Sequence, residues 1–145
     1  MKKTSQPKIS EVKRFWHLVD AKDKVLGRLA SEVSGLLMGK NKLDYVPHLD
    51  MGDYVVILNV EKIKVTGNKA DQKTYYSHSG YPGGLKEIIF KDLKQKRPKE
   101  IIKLAVKGML PKNRLRSPRM KRLRLVVGDT NKYKDKFVNV NGKKN

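Results

Sequence analysis

The sequence predicts a three-layer α/β domain, and three stretches of the 145-residue chain carry that prediction. Residues 15–21 are aromatic and β-branched, as in a buried strand, and residues 26–38 have apolar side chains at helical spacing. Residues 54–60 form a near-continuous apolar run, which is typical of a strand covered on both faces in a parallel sheet. A strand, a helix and a second buried strand in this order indicate an α/β plan.

The middle of the chain adds three shorter elements. Ile63 and Val65 predict a third short strand, which the turn residues 66–68 close. Residues 74–84 are rich in aromatic and turn-forming types, so they predict an exposed loop or a short strand running into one. Residues 90–96 fit a short helix.

The C-terminal half contains a longer helix and a last strand. Pro98 fits the first turn of a helix that ends at Gly108 and whose inward stripe is Ile101, Ile102, Ala105 and Val106. Residues 123–127 predict the last strand. We therefore divide the chain into a basic extension, an α/β domain and a polar basic tail, with the boundaries 1–14, 15–128 and 129–145.

The charge of the chain is strongly positive and graded along its length. Lys and Arg total 34 and Asp and Glu total 14, a formal net charge of +20. Residues 1–60 carry +3, residues 61–111 carry +7, and residues 112–145 carry +10. Because a compact domain with this charge repels itself, we expect a polyanionic partner, and nucleic acid is the main cytoplasmic one. A merely solvated basic surface is the plainer alternative, and a membrane surface would require a long amphipathic helix.

Cysteine is absent, which excludes disulfides and every thiolate metal site. No apolar stretch approaches the roughly 18 residues of a membrane span, and no apolar run follows the first lysines. We therefore expect a soluble cytoplasmic protein with no cofactor, no membrane contact and no small-molecule substrate.

The sequence gives little support for an enzyme. The turn at 25–30 has one glycine, where a dinucleotide fingerprint has three and a phosphate loop has Gly-Lys-Ser/Thr. Arg28, close to the predicted helix N-terminus, is instead a candidate ligand for an RNA phosphate. Ser77, His78 and Ser79 are adjacent, but a triad needs groups from distant positions, and no nucleophile elbow is present.

A metal site is also weakly supported. His48, Asp50 and Asp53 are close in sequence, but Pro47 and Gly52 mark a turn. Carboxylates in turns usually accept hydrogen bonds from nearby backbone, so we interpret this stretch as a structural turn and expect no metal.

The strongest local signal is the basic segment 112–124, with 7 basic residues among 13 and no acid. Arginine-rich segments neutralise phosphates, and their planar heads stack on exposed bases. Beside Tyr75, Tyr76, His78 and Tyr81, such a segment suits irregular, single-stranded or looped RNA. For Tyr75 and Tyr76, packing on the domain is the equally simple alternative.

Six segments between about residues 13 and 128 form a recognisable series: 20–21, 26–30, 52–54, 65–69, 76–85 and 105–112. The last two, YSHSGYPGGL and AVKGMLPK, are the most specific. In this order they closely resemble ribosomal protein thirteen of the bacterial large subunit. The resemblance implies a mainly parallel four-stranded sheet and a structural, non-catalytic component of the large ribosomal subunit that joins early in assembly. The partners it implies are large-subunit ribosomal RNA and neighbouring ribosomal proteins.

The candidate RNA contacts combine the matching motifs with the basic positions. They are Arg28, Lys40, Lys42, Lys69, Lys73, Tyr76, His78, Ser79, Tyr81, Gly83, Gly84, Lys107, Lys112, Arg114, Arg116, Arg119, Lys121 and Arg122. The end of the chain departs from the family pattern, and we expect residues 129–145 to become ordered only against RNA or a neighbouring protein. Two other classes stay open at this point: an α/β enzyme acting on nucleotides or RNA, and a DNA-binding regulator, although no helix-turn-helix signature is present.

Overall fold

The computed structural model describes residues 7–130 and 132–138. The strands are β1 (Trp16–Asp20), β2 (Tyr54–Leu58), β3 (Thr74–His78), β4 (Leu85–Ile89) and β5 (Leu123–Leu125). The α-helices are α1 (Leu26–Met38), α2 (Lys69–Gln72), α3 (Phe90–Lys96), α4 (Pro98–Met109), α5 (Arg116–Lys121) and α6 (Lys134–Val138). Short 3-10 turns occupy Ile9–Glu11 and Val60–Lys62. None of the helices in the described part of the chain has the length and apolar character needed to span a membrane.

The main sheet is parallel and has the order β1-β2-β5. This confirms an α/β fold with a mainly parallel sheet. After β1 and β2 end, the residues that follow them along the chain come together once more, in a single parallel bridge between Val25 and Lys64. Three strands and this bridge therefore stand where the resemblance implies four strands. The predicted strand at 63–65 shortens to the bridge because the 3-10 turn Val60–Lys62 interrupts the extended backbone.

The larger core lies between the sheet and the helices α1, α3 and α4. α1 directs Leu29, Val33 and Leu37 inward at helical spacing, and all three are buried. The helix ends at Met38, and the left-handed backbone of Gly39 lets the next N–H, that of Lys40, donate to the carbonyl of Gly35 at 3.1 Å. α4 starts with proline in its first turn, as predicted, and adds its own buried stripe to this core.

The second face of the sheet is covered by the described part of the predicted tail. Val56, Leu58 and Val126 form a small cluster there, and Trp16 packs against it. The ring of Tyr133 stacks on Trp16 at 5.9 Å between centroids, and Phe137 of α6 meets Trp16 edge-on at 6.1 Å. These contacts supply the third layer. Tyr133 and Phe137 therefore pack on the body without RNA, so the expectation that residues 129–145 become ordered only against RNA or a neighbouring protein does not hold for this part of the tail. Residues 131 and 139–145 lie outside the described residues, and for them it stays a prediction.

A separate two-stranded sheet forms from β3, which lies in the segment 74–84 predicted as an exposed loop or short strand, and from β4, which the sequence did not predict. β3 and β4 pair antiparallel, with Thr74 opposite Ile89 and His78 opposite Leu85. Every residue of β4 is exposed. The hairpin, residues 74–89, is therefore attached to the body at its base and open to solvent along β4.

Candidate nucleic-acid interface

The tip of the hairpin is held by short backbone hydrogen bonds. Ser79 N donates to Gly84 O at 3.1 Å, and Gly84 N donates to Tyr81 O at 2.9 Å. Gly80 and Gly83 have φ of +88° and +72°, which a side chain disfavours. A Cβ on Gly84 would overlap the Ser79 hydroxyl and lie 2.8 Å from Tyr81 O. The turn is thus built on three glycines and presents its side chains in a fixed arrangement.

The aromatic side chains of the hairpin divide into two groups. Tyr76 and Tyr81 are 66% and 76% exposed, and His78 is exposed beside them. Tyr75 faces the other way and packs against the main core, where burial raises the pKa of its hydroxyl. The ammonium of Lys73 lies 5.3 Å from the centroid of the Tyr75 ring. Two rings and an imidazole are therefore available for stacking, and Tyr75 has the structural role.

The tip is not arranged as a hydrolytic site. His78 Nδ1 accepts a hydrogen bond from Gly80 N at 2.9 Å, which fixes the imidazole on its own turn. Ser77, in β3, and Ser79, directly after it, are exposed. Across the described residues, His78 has no hydrogen bond to a serine hydroxyl or a carboxylate, so the geometry of a nucleophile activated by an oriented base is not formed there.

A small depression of about 250 Å³ lies where α1 begins and α4 ends. Lys69 and Lys73 line it together with Gly27, Thr66 and Met109. Arg28 follows Gly27 on α1, and Lys107 precedes Met109 on α4, and both are exposed. The structure thus places Lys69 and Lys73 at this depression, whereas Arg28 and Lys107 are exposed on the two helices that border it and do not line it.

The basic segment contains a helix, α5, that the sequence analysis did not predict. Lys112, Arg114 and Lys121 are exposed, and Arg116 is half-buried and donates from Nε to Pro111 O at 3.2 Å. Arg119, in contrast, is 1% exposed. The segment is therefore not a uniform phosphate-binding run.

Two arginines of the segment point into the protein. Arg122 is buried and holds Asp50 through two hydrogen bonds, Nη1 to Oδ2 at 2.6 Å and Nη2 to Oδ1 at 2.5 Å. Arg119 Nε lies 3.7 Å from Asp50 Oδ1, and Arg14 Nη2 lies 3.7 Å from Oδ2. Both arginines were candidate RNA contacts. The structure places them away from the surface, because the carboxylate of Asp50, in the loop before β2, neutralises their charge.

Lys42 is also occupied within the protein. Its Nζ lies 2.6 Å from Asp53 Oδ1 and donates to the carbonyls of Lys13 and Met51 at 2.6 and 2.8 Å. Its side chain is only 17% exposed, whereas Lys40 is exposed. Lys42 therefore closes the loop between α1 and β2.

Asp50 and Asp53, the carboxylates of the turn that follows His48, both pair with cations. Asp53 accepts hydrogen bonds from the backbone N–H of Phe15 at 3.1 Å and contacts His17 Nε2 at 3.0 Å, in addition to Lys42. Burial by itself would raise the pKa of Asp50, but the hydrogen bonds and charge of Arg122, with the charges of Arg14 and Arg119, outweigh it and lower that pKa. Within 7–130 and 132–138 no three His, Cys, Asp or Glu side chains form a group able to hold a metal ion.

Sequence analysis missed a second basic surface, to which Lys99, Lys103 and Arg124 belong. The available signal was the spacing of Lys99 and Lys103, which lie one helical turn apart on the polar face of α4. It also missed Arg14, because nothing local indicates that its guanidinium reaches the backbone carbonyls of Asp50 and Gly52 at 3.0 and 2.8 Å.

Comparisons with known proteins agree with the geometry. The family model described as ribosomal protein L13 matches residues 14–132. Relatives called large ribosomal subunit protein uL13 include that of Pelobacter propionicus, 53% identical over 131 residues, covering 90% of this chain and 92% of the relative. That of Rubrobacter xylanophilus is 53% identical, covering 81% of this chain and 82% of its own. The uL13 of Pseudoalteromonas atlantica is 52% identical, and the match covers 90% of this chain and 92% of the relative. The chain belongs to the ribosomal protein L13 family.

Proposed function

We propose that this chain is a structural, non-catalytic constituent of the large ribosomal subunit. In this role it binds large-subunit ribosomal RNA, joins the particle early in assembly and contacts neighbouring ribosomal proteins. Membership of the L13 family over residues 14–132 supports the proposal, as does the printed name of its relatives. The contribution of the protein is positioning: a rigid α/β body holds cations and rings in fixed places.

The observation that carries the RNA-binding part is the exposed hairpin tip. Tyr81 stands in solvent on a turn that three glycines hold in one shape, and Tyr76 stands in solvent on β3, the strand that leads into this turn. Exposed aromatic rings on a rigid support are how proteins stack unpaired bases of RNA loops. Stacking against bases would remove the apolar surface of these rings from water, to which the free protein leaves it exposed, and this burial favours binding.

The exposed cations supply the phosphate contacts. Within the described residues, Arg28, Lys69, Lys107, Lys112 and Arg114 make no ion pair or hydrogen bond through their side chains. When unpaired cations of this kind meet phosphates, they release the counterions condensed on the RNA, and this release favours binding. We retain these residues, with Lys40, Lys73, Arg116 and Lys121, as proposed RNA contacts.

The proposal is tested with Tyr81→Ala in competition with wild type. Cells express a tagged variant beside the untagged chain, and mass spectrometry of purified large subunits measures the occupancy of each. We expect the variant to be strongly under-represented, because each lost stacking contact weakens binding by about 1–3 kcal/mol. The matched control is Leu43→Ala, another exposed side chain outside the hairpin, which should compete equally.

Thermal melting of the free proteins completes the test. Tyr81→Ala should melt like wild type because the ring is exposed, whereas Tyr75→Ala should melt at a lower temperature because its ring packs on the core. Equal occupancy of Tyr81→Ala and wild type would contradict the role of the ring in RNA binding.

A further inference from the structure

A groove runs along the outer edge of β5, between α4 and α5. Its volume is about 740 Å³. β5 is the last strand in the order β1-β2-β5, so this edge has no neighbouring strand among the described residues. Met120, Leu123 and Leu125 form an apolar floor, and Tyr133 lies at one border.

Four exposed cations line the groove from three elements. Lys99 and Lys103 come from α4, Lys121 from α5, and Arg124 from β5. In the part of the chain that the structure describes, none of these four side chains has an ion pair or a hydrogen bond. The uncompensated charge of the groove is therefore about +4 before any partner arrives.

The acid in the groove does not offset this charge. Glu100 is the one carboxylate among its described lining residues, and Arg97 already pairs with it at 3.2 Å, from Arg97 Nη1 to Glu100 Oε1. Where charge protects a free strand edge, it stands on the strand itself. Three of the four cations come from helices instead, so edge protection does not account for the arrangement.

The pairing of an apolar floor with cationic walls identifies the class of ligand. Phosphodiester groups fit the walls, and ribose and unstacked bases fit the floor. A duplex presents mostly phosphate and ribose and keeps its base faces stacked, so it would leave the floor empty. We propose that this groove binds a single-stranded or looped segment of RNA, distinct from the segment that meets the hairpin tip. The inference rests on the proposed function and adds one contact surface to it.

The first experiment measures how the affinity for oligouridine of about ten nucleotides depends on salt. The test variant changes Lys99, Lys103, Lys121 and Arg124 to Gln. The control variant changes Lys22, Lys62, Lys91 and Lys96 to Gln and so removes the same charge from exposed positions outside the groove. Affinity falls with salt, and we expect the slope of log affinity against log salt to become shallower by about 3 in the test variant, at about 0.7 per lost phosphate contact. In the control it should become shallower by less than about 1. Equal changes in both variants would overturn the inference.

The second experiment uses intact large subunits that contain the wild-type chain. Acetylation of lysines is compared between the free chain and the particle, and we expect Lys99, Lys103 and Lys121 to be at least tenfold less reactive in the particle. A carbodiimide, which joins lysines to carboxylates, should not link them to another protein. Such links would show an acidic protein partner in place of RNA and would overturn the inference.

These outcomes separate the inference from the proposed function. If the chain is present in large subunits and its groove lysines react as in the free chain, the groove inference fails and the function stands. If the chain is absent from large subunits, the proposed function itself fails.

Discussion

Gly52 occupies a close approach of two backbone segments beside the buried ion pairs of Asp50 and Asp53. A Cβ at this position would overlap Leu37 O at the end of α1 and would lie 2.9 Å from Arg122 Nη2. Glycine therefore lets the loop before β2 pass against the helix. This approach places Asp50 on one side of Gly52 and Asp53 on the other, each within reach of its cations.

The substitution Gly52→Ala should destabilise the fold by about 1–3 kcal/mol or more, because rigid backbone atoms must move to admit the methyl group. Urea denaturation of the free protein measures this change. Gly35→Ala is the matched control: nothing lies within 4 Å of its added Cβ, and alanine inside α1 should raise stability by about 0.5–1 kcal/mol. Wild-type stability for Gly52→Ala would show that the approach is looser than described.

Asp50 is the anion that three guanidinium groups share. Its lowered pKa means that folding favours the ionised carboxylate. The resulting stability is fully present above the ordinary aspartate pKa of 3.8 and is lost as the pH falls through the lower pKa of the folded state. Protonation would leave Arg119 and Arg122 buried without a counterion.

Asp50→Asn should therefore lower stability near pH 7 by about 2–3 kcal/mol, a value below that of a fully buried pair because the carboxylate is 18% exposed. The variant should also lose part of the decline in unfolding free energy between about pH 5 and pH 2. Denaturation curves at several pH values measure both effects. Asp44→Asn, at an exposed aspartate without an ion pair to a described residue, should match wild type, and an equal loss in the two variants would contradict the assignment.

At the scale of elements, α5 turns one basic segment into two functional parts. Its helical periodicity directs Arg119 inward, and Arg122, just after the helix, holds Asp50. Lys112 and Arg114 precede the helix and remain exposed. The same residue type therefore stabilises the fold at some positions and meets solvent at others.

Substitution of the two parts should give opposite results. Lys112→Gln with Arg114→Gln should lower the salt slope of RNA association by about one unit per lost phosphate contact and leave the melting temperature unchanged. Arg119→Gln with Arg122→Gln should lower the melting temperature, because Asp50 loses its hydrogen bonds. Binding to large-subunit RNA over a range of salt concentrations, with melting of the free proteins, tests the pair. A lower melting temperature for the first pair would contradict this division.

The elements with clear periodicity were predictable from the sequence. α1, β2 and α4 follow apolar patterns, and each forms close to its predicted bounds. α5 was not predicted, because a six-residue helix with three basic residues and a proline has no apolar stripe to reveal it. The antiparallel pairing of β3 and β4 was hidden by a six-residue connection, residues 79–84, longer than the two-residue turns that sequence patterns identify.

The burial of Arg119 and Arg122 lay beyond sequence reasoning for a physical reason. Their shared partner, Asp50, is 72 residues from Arg122, and its position depends on how the loop before β2 packs against α1. Charge counting treats every arginine alike, so it assigned both residues to the RNA surface. The exposure of Tyr81 was better indicated, because the glycines around it predict a turn, whereas for Tyr76 packing on the domain was the equally simple alternative.

At the scale of the whole molecule, the fold separates a mixed interior cluster from the surface cations that make up most of the net charge of +20. Asp50 and Asp53 are held inside with Lys42, Arg119 and Arg122, so two acids and three cations leave the surface together and the charge that remains there is strongly positive. The hairpin tip and the groove beside β5 then present rings, apolar floor and uncommitted cations. The phosphates of RNA can neutralise these cations, which agrees with a place for the chain in a ribonucleoprotein particle.

Sedimentation of a native lysate through a gradient at high salt tests the central claim most directly. The chain should travel with the large ribosomal subunit, remain there after a salt wash that removes loosely bound basic proteins, and leave that fraction when the RNA is digested. Retention through the wash is expected because stacking and shape-specific contacts are less sensitive to salt than phosphate contacts alone. Recovery of the chain at the top of the gradient, apart from large subunits and unaffected by RNA digestion, would contradict a structural role in the particle.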